Sequence, residues 1–280
     1  MHTDRYAEIK RRLMDIAAQD DTLTAVIAIG SSTRKYSAAD EYSDIDLIIG
    51  TTSPQDWLYG EMPHKLGEVI ISFVEPTLGG GFERRMLYSG SLDVDLIVFT
   101  PEQLRDAITN GAAAEVMNRG YNIMYDGMDI TALTAEHIKP DTRHIEMDES
   151  EFVNRVNDFW FHTVWAAKKI LRGEFWTAKM CIDGYLKNHL LAIMELNRYS
   201  ADNTDVWHCG RFLEKWAGEE NVSALGGCFA HYDRDDMVTA LKNTAALYSK
   251  NALSAAEICG YTYPNMAEEY ALALLEEYFG

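Results

Sequence analysis

The sequence predicts an α+β protein in which an N-terminal domain, a mixed β-sheet flanked by helices, precedes a C-terminal α-helical bundle. Short β-branched runs bounded by turn residues recur between residues 23 and 99. In the second half, apolar residues follow the helical period and no convincing strand occurs. A polar, proline-containing segment at residues 139–143 separates the two patterns and is typical of a linker. We therefore predict domains at residues 1–140 and 145–280.

In the first domain, apolar residues spaced three or four apart predict a helix over residues 4–18. After the strands, Pro101 begins a second helix at its favoured first-turn position, with Thr100 as N-cap. The alternation of apolar residues predicts a sheet of four or five strands. These strands are Leu23–Ile29, Ile45–Ile49, Val69–Val74, Arg85–Tyr88 and Leu92–Phe99.

In the second domain the helical period begins near Phe152 and continues to Ala167. Later stretches have the composition of helices and contain no strand pattern. They cover residues 175–198, 209–217, 234–257 and 265–279.

The composition excludes several function classes. The net charge is −19, and the acidic excess is spread over both halves of the chain. A protein that binds nucleic acid or an anionic membrane needs a basic surface, so neither partner is expected. A negative field attracts cations, which favours a cationic small molecule as a partner. The alternative is that the acidity serves only solubility.

The sequence begins directly with a charged amphipathic pattern and contains no run of apolar residues that could span a bilayer. The four cysteines form no CxxC pair, so a structural zinc site is not expected. We therefore expect a cytoplasmic protein, present as a monomer or a homodimer.

The most informative stretch joins the first two strands. Gly30 and Ser31 follow the first strand, and Asp44 and Asp46 begin the second after twelve intervening residues. Because side chains alternate along a strand, the two carboxylates project from one face, about 7 Å apart. Two such acids are costly to place together without a cation, and hard oxygen ligands suit Mg²⁺.

A further acid comes from the strand LDVDLIVF, in which Asp93 and Asp95 share one face. An acid within so apolar a strand would be partly buried and needs a compensating role. Three carboxylates on neighbouring strands can hold two metal ions during an in-line displacement. For Asp93 two interpretations stay open: a supporting acid near the acceptor, or a solvated strand residue.

The turn at Gly30 and Ser31 complements these acids. Glycine lets the backbone approach a phosphate closely, and the serine hydroxyl and following N–H groups can donate to it. Together with the acids, the turn is typical of a nucleotidyl-transfer site. The alternative is a surface turn followed by a solvated acidic strand.

The stretch GSSTRKYSAADEYSDIDL resembles the signature of the DNA-polymerase-β-type nucleotidyltransferases and, more narrowly, of the aminoglycoside 6-adenylyltransferases, which modify streptomycin. The strand LDVDLIV resembles the family's third-acid strand, with Asp95 in the matching position. The resemblance continues through the helical half and covers nearly the whole chain. The matching stretches there include Asp158-Phe159-Trp160, Leu171 to Glu174, Lys187 to Met194, Gly210 to Trp216 and Gly260 to Pro264.

The resemblance implies site roles and cofactors. Asp44 and Asp46 would bind Mg²⁺, two ions being expected, together with the phosphates of ATP as co-substrate. Asp95 would complete the metal site or act as general base. Gly30 and Ser31 would hold the triphosphate.

The sequence departs from the family at three points. Ser32 stands where an arginine usually follows the GS pair, which makes Arg34 the candidate for that phosphate contact. In the helical domain, Arg211 stands where a phosphate-contacting lysine is usual, with Lys215 nearby. The family's usual tryptophan is absent at Glu195-Leu196. This difference concerns the identity of the acceptor more than the nucleotidyl-transfer reaction.

Four charged residues have open roles. Arg84 or Arg85 could pair with Glu83 or could reach the triphosphate as a bidentate donor. Asp183 and Glu174 are the best candidates for binding ammonium or guanidinium groups of the acceptor; the alternative is that they belong to solvated helix faces. These alternatives stay open on the sequence alone.

The leading hypothesis is an enzyme that transfers AMP from Mg-ATP to a hydroxyl of an aminoglycoside, streptomycin above all, and releases pyrophosphate. The alternatives are a nucleotidyltransferase-fold protein with another small-molecule or protein acceptor, and a nucleotide-binding regulatory module.

Overall fold

The computed structural model of the chain describes residues 4–34, 39–77, 80–139, 147–206 and 209–280. The chain divides into two compact units, residues 1–142 and residues 143–280. The predicted linker at residues 139–143 lies outside the described residues beyond Lys139.

The first unit is built on one mixed sheet, as predicted. The strand order is β3-β4-β5-β2-β1-β6. β2 and β5 pair in parallel, and every other neighbouring pair is antiparallel. The strands are β1 (Leu23–Ile29), β2 (Ile45–Thr51), β3 (Val69–Pro76), β4 (Phe82–Tyr88), β5 (Leu92–Phe99) and β6 (Asn122–Asp126).

The prediction of four or five strands was wrong, because the sheet has six. The missed strand, β6, lies at the sheet edge and pairs with β1. Its five residues, NIMYD, contain one β-branched residue and are only partly buried. So short a segment carries little strand signal of its own, and its pairing with β1 fixes its conformation.

Helices cover both faces of the sheet and create two cores. Leu47 and Ile49 of β2 belong to a core closed by Leu13 of the first helix, whereas Ile48 belongs to a second core closed by Leu104. Thr100 caps the helix that begins at Pro101, as predicted, through a capping box. The helices of this unit are α1 (Ala7–Ala17), α2 (Pro54–Leu58), α3 (Pro101–Thr109), α4 (Ala114–Met117) and α5 (Ile130–His137).

The second unit is helical throughout its described part, again as predicted. The predicted helix over residues 209–217 is reduced to one turn, because Cys209, Gly210 and Phe212 have positive φ angles. Residues 175–198 are helical but contain a π-helical turn, Cys181–Tyr185. The helices are α6 (Glu149–Leu171), α7 (Phe175–Met180), α8 (Leu186–Asp202), α9 (Leu213–Trp216), α10 (Glu219–Leu225), α11 (Arg234–Cys259) and α12 (Asn265–Phe279).

The longest helices of this unit enclose a single core. Phe159 and Trp160 of α6 and Tyr248 of α11 lie at its centre, each fully buried. The Phe159 and Tyr248 rings stack at 3.5 Å between centroids. Within the described residues, every helix is too short or too polar to cross a membrane.

Candidate active site

The candidate site lies at one end of the sheet, where a row of paired residues crosses four strands. Asp46 of β2 is opposite Ile29 of β1 on one side and opposite Asp95 of β5 on the other. Asp95 is in turn opposite Arg85 of β4. Paired residues in adjacent strands share a face, so Asp46, Asp95 and Arg85 project together.

The three acids predicted from the sequence meet here. Asp44, Asp46 and Asp95 each offer a carboxylate oxygen, and these oxygens lie within 4.8 Å of one another. Asp95 is buried, with 4% of its surface exposed, whereas Asp44 and Asp46 are partly exposed. The parallel register of β2 with β5 produces this convergence, which spacing along the chain could not show.

Gly30 follows β1 directly and packs against this acid cluster. Its φ angle is +70°, a left-handed conformation that favours glycine. A Cβ atom added at Gly30 would lie 1.9 Å from Oδ2 of Asp46. Glycine is therefore required both for the backbone conformation and for the space beside the carboxylate.

Ser31 lies next to Gly30 in a short 3₁₀ turn, Gly30–Ser32, and is buried. Its Oγ atom is buried and has no hydrogen-bond partner among the residues that the structure describes. A buried hydroxyl without a partner is costly, so this atom is suited to a polar ligand such as a phosphate oxygen.

Asp95 is held by Arg85 through two contacts. The guanidinium donates from Nε to Oδ1 at 3.0 Å, and its Nη2 lies 2.9 Å from Oδ2. Burial raises the pKa of Asp95, and Arg85 opposes that rise. Burial lowers the pKa of Arg85, but the hydrogen bond and charge of Asp95 outweigh burial, so the net shift is upward.

The neighbouring arginine has a different place. Arg84 is buried and donates to Oγ of Ser72 at 3.0 Å and to the Gly60 carbonyl at 2.8 Å. It therefore ties β4 to the loop before β3. Of the two arginines left open by the sequence, Arg85 contacts the acid cluster and Arg84 fills a structural position on the opposite face.

Two further acids, which the sequence analysis missed as a pair, lie beside Arg85. Nη1 of Arg85 lies 3.5 Å from Oε1 of Glu75. Glu83, opposite Glu75 in the sheet, has a raised pKa because of burial, the charge of Asp95 and a hydrogen bond with Glu75. Each of the two strands contains a single acid, and the meeting of these acids depends on the strand register.

Tyr6, directly before α1, had no assigned role in the sequence-based prediction. Its hydroxyl donates to the Ser43 carbonyl at 2.8 Å, directly before Asp44. The Asp93 backbone N–H in turn donates to the same hydroxyl at 3.3 Å. Tyr6 thus links the two segments that carry the acid cluster. The side chain of Asp93 is exposed, and its role stays a prediction.

The remaining predicted nucleotide contacts belong to other segments of the chain. Arg34 is partly buried and follows the turn that contains Gly30 and Ser31. Arg211 and Lys215 are exposed residues of the second unit. The Lys215 ammonium lies 4.2 Å from the ring centroid of Phe212. The roles of all three toward ATP stay predictions.

The two acids proposed for acceptor binding already have cationic partners. Glu174 pairs with Lys169 and with Arg172, and these partners lower its pKa. Asp183 pairs with Lys179 one helical turn earlier. Their charges are largely offset locally, which makes either of them a poor site for a further cation.

A cavity of about 500 Å³ adjoins the acid cluster at Asp44. Its wall is formed by the start of α1 and the segment before β2. Its charged and aromatic lining residues are Asp4, Arg5, Tyr6, Lys10, Asp40, Glu41, Tyr42 and Asp44. Among the described residues of this lining, acids outnumber bases.

The donor set fits a magnesium ion. Asp44, Asp46 and Asp95 provide carboxylate oxygens, the hard ligands that Mg²⁺ prefers, at a separation that one or two ions could bridge. The Ser31 hydroxyl beside them is available for a phosphate oxygen. Magnesium usually binds through one or two carboxylates together with substrate phosphates, which matches this arrangement.

Comparison with known proteins gives the chain a family. The streptomycin adenylyltransferase family matches residues 3–277. A solved aminoglycoside 6-adenyltransferase from Bacillus subtilis is similar over 99% of both chains, with 16% identity and a TM-score of 0.46. A nucleotidyltransferase-like protein from Exiguobacterium sibiricum 255-15 is similar over 91% of this chain and 78% of its own, with 14% identity and a TM-score of 0.34. None of the curated proteins matches the chain.

The family match spans nearly the whole sequence, and it confirms the resemblance drawn from the GS turn, the DxD strand and the third acid. The chain belongs to the streptomycin adenylyltransferase family and is an enzyme of the nucleotidyltransferase class.

Proposed function

We propose that this enzyme transfers AMP from Mg-ATP to a hydroxyl group of streptomycin or a closely related aminoglycoside and releases pyrophosphate. The observation that carries the proposal is the meeting of Asp44, Asp46 and Asp95 within 4.8 Å, beside the turn at Gly30, in a chain of this family.

Gly30 and Ser31 receive the triphosphate in this proposal. Glycine leaves room for a phosphate to approach the backbone, and the Ser31 hydroxyl supplies a buried donor that has no partner among the described residues. Arg34 provides a positive charge near the same turn. Arg211 and Lys215 are assigned to the nucleotide by resemblance to the family.

Asp44, Asp46 and Asp95 hold Mg²⁺, with two ions expected. The metal supplies positive charge that stabilises the attacking and leaving oxygens of an in-line displacement. Tyr6 supports the carboxylate geometry through its hydrogen bond to Ser43. Arg85 keeps the carboxylate of Asp95 in one orientation.

In the transfer step, the acceptor hydroxyl oxygen forms a bond to the α-phosphorus of ATP. The bond between that phosphorus and the bridging oxygen breaks, and pyrophosphate leaves with the electron pair. The hydroxyl proton passes to the carboxylate of Asp95. Burial raises the pKa of Asp95, which improves it as a proton acceptor, whereas Arg85 limits the rise.

The acceptor is a cation in this proposal. The described lining of the cavity beside Asp44 contains more acids than bases, and the whole chain carries a net charge of −19. Both features favour a polycationic sugar over an anionic acceptor.

The direct test is mass spectrometry of streptomycin after incubation with the protein and Mg-ATP. We expect the antibiotic to gain the mass of one AMP residue while pyrophosphate accumulates in equal amount. If neither streptomycin nor any other aminoglycoside in a panel is modified, the acceptor assignment is wrong. Pyrophosphate release with a different acceptor would preserve the chemistry and replace the substrate.

The metal assignment is tested by Asp46→Asn, which keeps the size of the side chain but removes its charge. We expect the rate of pyrophosphate release to fall about 100-fold or more, as when other preorganised charge-stabilising groups are removed. Asp106→Asn is the matched control, because it removes an exposed acid from α3 of the same unit. It should change the rate less than about threefold. Full activity of Asp46→Asn would refute the metal site.

A further inference from the structure

A second cluster of polar side chains lies in the helical unit, centred on Asp158 of α6. Asp158 belongs to the Asp158-Phe159-Trp160 stretch, which has no role in the mechanism above. Phe159 and Trp160 are fully buried, whereas the Asp158 side chain is 32% exposed. The helix therefore anchors the aromatic residues in the core and presents the carboxylate to solvent.

Three side chains surround this carboxylate. The Tyr185 hydroxyl lies 3.0 Å from both Oδ1 and Oδ2 of Asp158. Nδ1 of His162, one turn further along α6, lies 2.6 Å from Oδ1. Nε2 of His189 lies 3.8 Å from Oδ2. The carboxylate is thus oriented by groups from α6, from the π-helical turn and from α8.

The π-helical turn determines where Tyr185 points. A π-helical turn adds a residue to the helix and shifts the side chains that follow, and such turns are frequent at functional sites. Here the turn ends at Tyr185, whose ring lies 4.4 Å from that of His162 and 4.9 Å from that of His189. Trp165 extends this set of rings, at 6.1 Å from His162.

Asp158 differs from its acidic neighbours in its partners. Glu174 pairs with Lys169 and Arg172, and Asp183 pairs with Lys179. Among the residues that the structure describes, the ion-pair partners of Asp158 are histidines.

The described groups nearest the Asp158 carboxylate are one hydroxyl and two imidazoles. Burial lowers the pKa of His189. The nearest arginine along α6, Arg155, lies 3.1 Å from the Glu151 carboxylate. Hydrogen bonds therefore orient the Asp158 carboxylate, and within the described part of the chain it forms no ion pair with a lysine or an arginine.

We propose that Asp158, held by His162 and with the Tyr185 ring beside it, binds a guanidinium or ammonium group of the acceptor. An oriented carboxylate recognises a guanidinium through charge-assisted hydrogen bonds, and aromatic faces next to it attract the same cation. This inference rests on the proposed function, since it assigns a binding site to the cationic acceptor. It replaces Asp183 and Glu174 as the candidate acids.

The test is calorimetric titration of the full chain with streptomycin, which carries guanidinium groups, without ATP or Mg²⁺. We expect Asp158→Asn to weaken binding about tenfold or more, because the hydrogen bonds lose their charge assistance. The control is Glu269→Gln, which removes one exposed acid from α12 of the same unit. It should leave the dissociation constant within about twofold of the wild type.

Several outcomes would overturn the site. They are wild-type affinity in Asp158→Asn, equal weakening by the two variants, and no binding of streptomycin to the wild type. A different result would refute the proposed function alone: streptomycin binds, Asp158→Asn weakens that binding, and yet streptomycin is not adenylylated when Mg-ATP is added. In that case Asp158 remains a cation site without the transfer.

A measurement on the unmodified chain covers the case in which Asp158→Asn does not fold. Histidine ring protons are followed by NMR as streptomycin is added. We expect the resonances of His162 and His189 to shift, and those of His64 and His137, in the sheet unit, to stay unchanged. Shifts confined to other histidines would refute the site.

Discussion

The helices of the second unit and the central strands of the first arrange their acidic side chains in opposite ways. In the helical unit, many acids form pairs within one turn of the same helix, as Glu151 does with Arg155 and Asp202 with Arg198. In the sheet unit, Asp44, Asp46 and Asp95 come from two strands and meet within 4.8 Å. The helical pairs offset charge locally, whereas the sheet concentrates it.

The difference has a physical cause. Residues four apart on a helix are neighbours, so an acid and a base at that spacing meet without any tertiary contact. Adjacent strands bring residues together only through their register, which here aligns Asp46 with Asp95. Such a concentration of charge is unfavourable unless a cation or a strong donor compensates it, and it therefore indicates a binding site.

The largest expected effect is on kcat/KM in Gly30→Ala, which tests how tightly the backbone at Gly30 packs against the acid cluster. In Gly30→Ala, the added Cβ would lie 1.9 Å from Oδ2 of Asp46, so the carboxylate or the turn must move. Because small displacements in an active site are costly, we expect kcat/KM for pyrophosphate release to fall about 100-fold or more.

Gly90→Ala is the control, because it separates the effect of backbone strain from that of contact between the new Cβ atom and Asp46. Gly90 also has a positive φ angle, +85°, but a Cβ atom there would meet nothing within 4 Å. Gly90→Ala should cost stability but leave the rate within a few fold. Equal loss of activity in the two variants would show that backbone strain, and not contact with Asp46, limits the enzyme.

A smaller effect, on stability, is expected when Arg85, which compensates the charge of the acid cluster, is replaced. Arg85→Met leaves the buried carboxylate of Asp95 without its cation, and we expect a loss of about 1–3 kcal/mol in the free energy of unfolding. Mg²⁺ bound at Asp95 would replace the missing charge. The increase in Tm on addition of Mg²⁺ should therefore be larger in the variant than in the wild type.

Arg84→Met gives the comparison. Arg84 is buried and contacts Ser72 and Gly60 on the other side of the sheet, so its loss should also lower Tm. The effect of Mg²⁺ on that variant should equal its effect on the wild type. If Arg85→Met gains nothing extra from Mg²⁺, Asp95 is not a metal ligand.

The smallest expected effect is on the pH dependence of stability, and it concerns Glu195, a largely buried acid of the helical unit. Burial raises its pKa to about 7, and its Oε1 atom is buried without a hydrogen-bond partner among the described residues. Below its ordinary pKa of 4.5, the folded and unfolded states are both protonated and burial costs nothing. Between that pH and about 7, the unfolded state ionises first, so stability falls as pH rises.

Glu195→Gln should remove this dependence. At pH 8 we expect the free energy of unfolding of the variant to exceed that of the wild type by on the order of 1–3 kcal/mol. At pH 4.5 we expect the two proteins to have similar free energies of unfolding. Denaturant titrations across that range provide the measurement, with Glu269→Gln as the exposed control. A difference that does not change with pH would contradict the assignment to Glu195.

The sequence by itself determined the α+β class, five of the six strands and the division into a sheet half and a helical half, because hydrophobic alternation is local information. It also identified Gly30, Ser31, Asp44, Asp46 and Asp95, since a glycine-serine turn and paired acids at fixed spacing are typical of nucleotidyl transfer. The resemblance to the family came from the same residues.

Only the tertiary structure decided what depends on register and packing. It separated Arg85, beside Asp95, from Arg84, which is buried on the other face, although the two are adjacent in sequence. It added β6, whose pairing outweighs a weak local pattern. It also brought Tyr6 to the acid segments and placed Tyr185 and His189 beside Asp158. In each case the deciding contact joins residues distant along the chain or on neighbouring elements, and no local pattern encodes it.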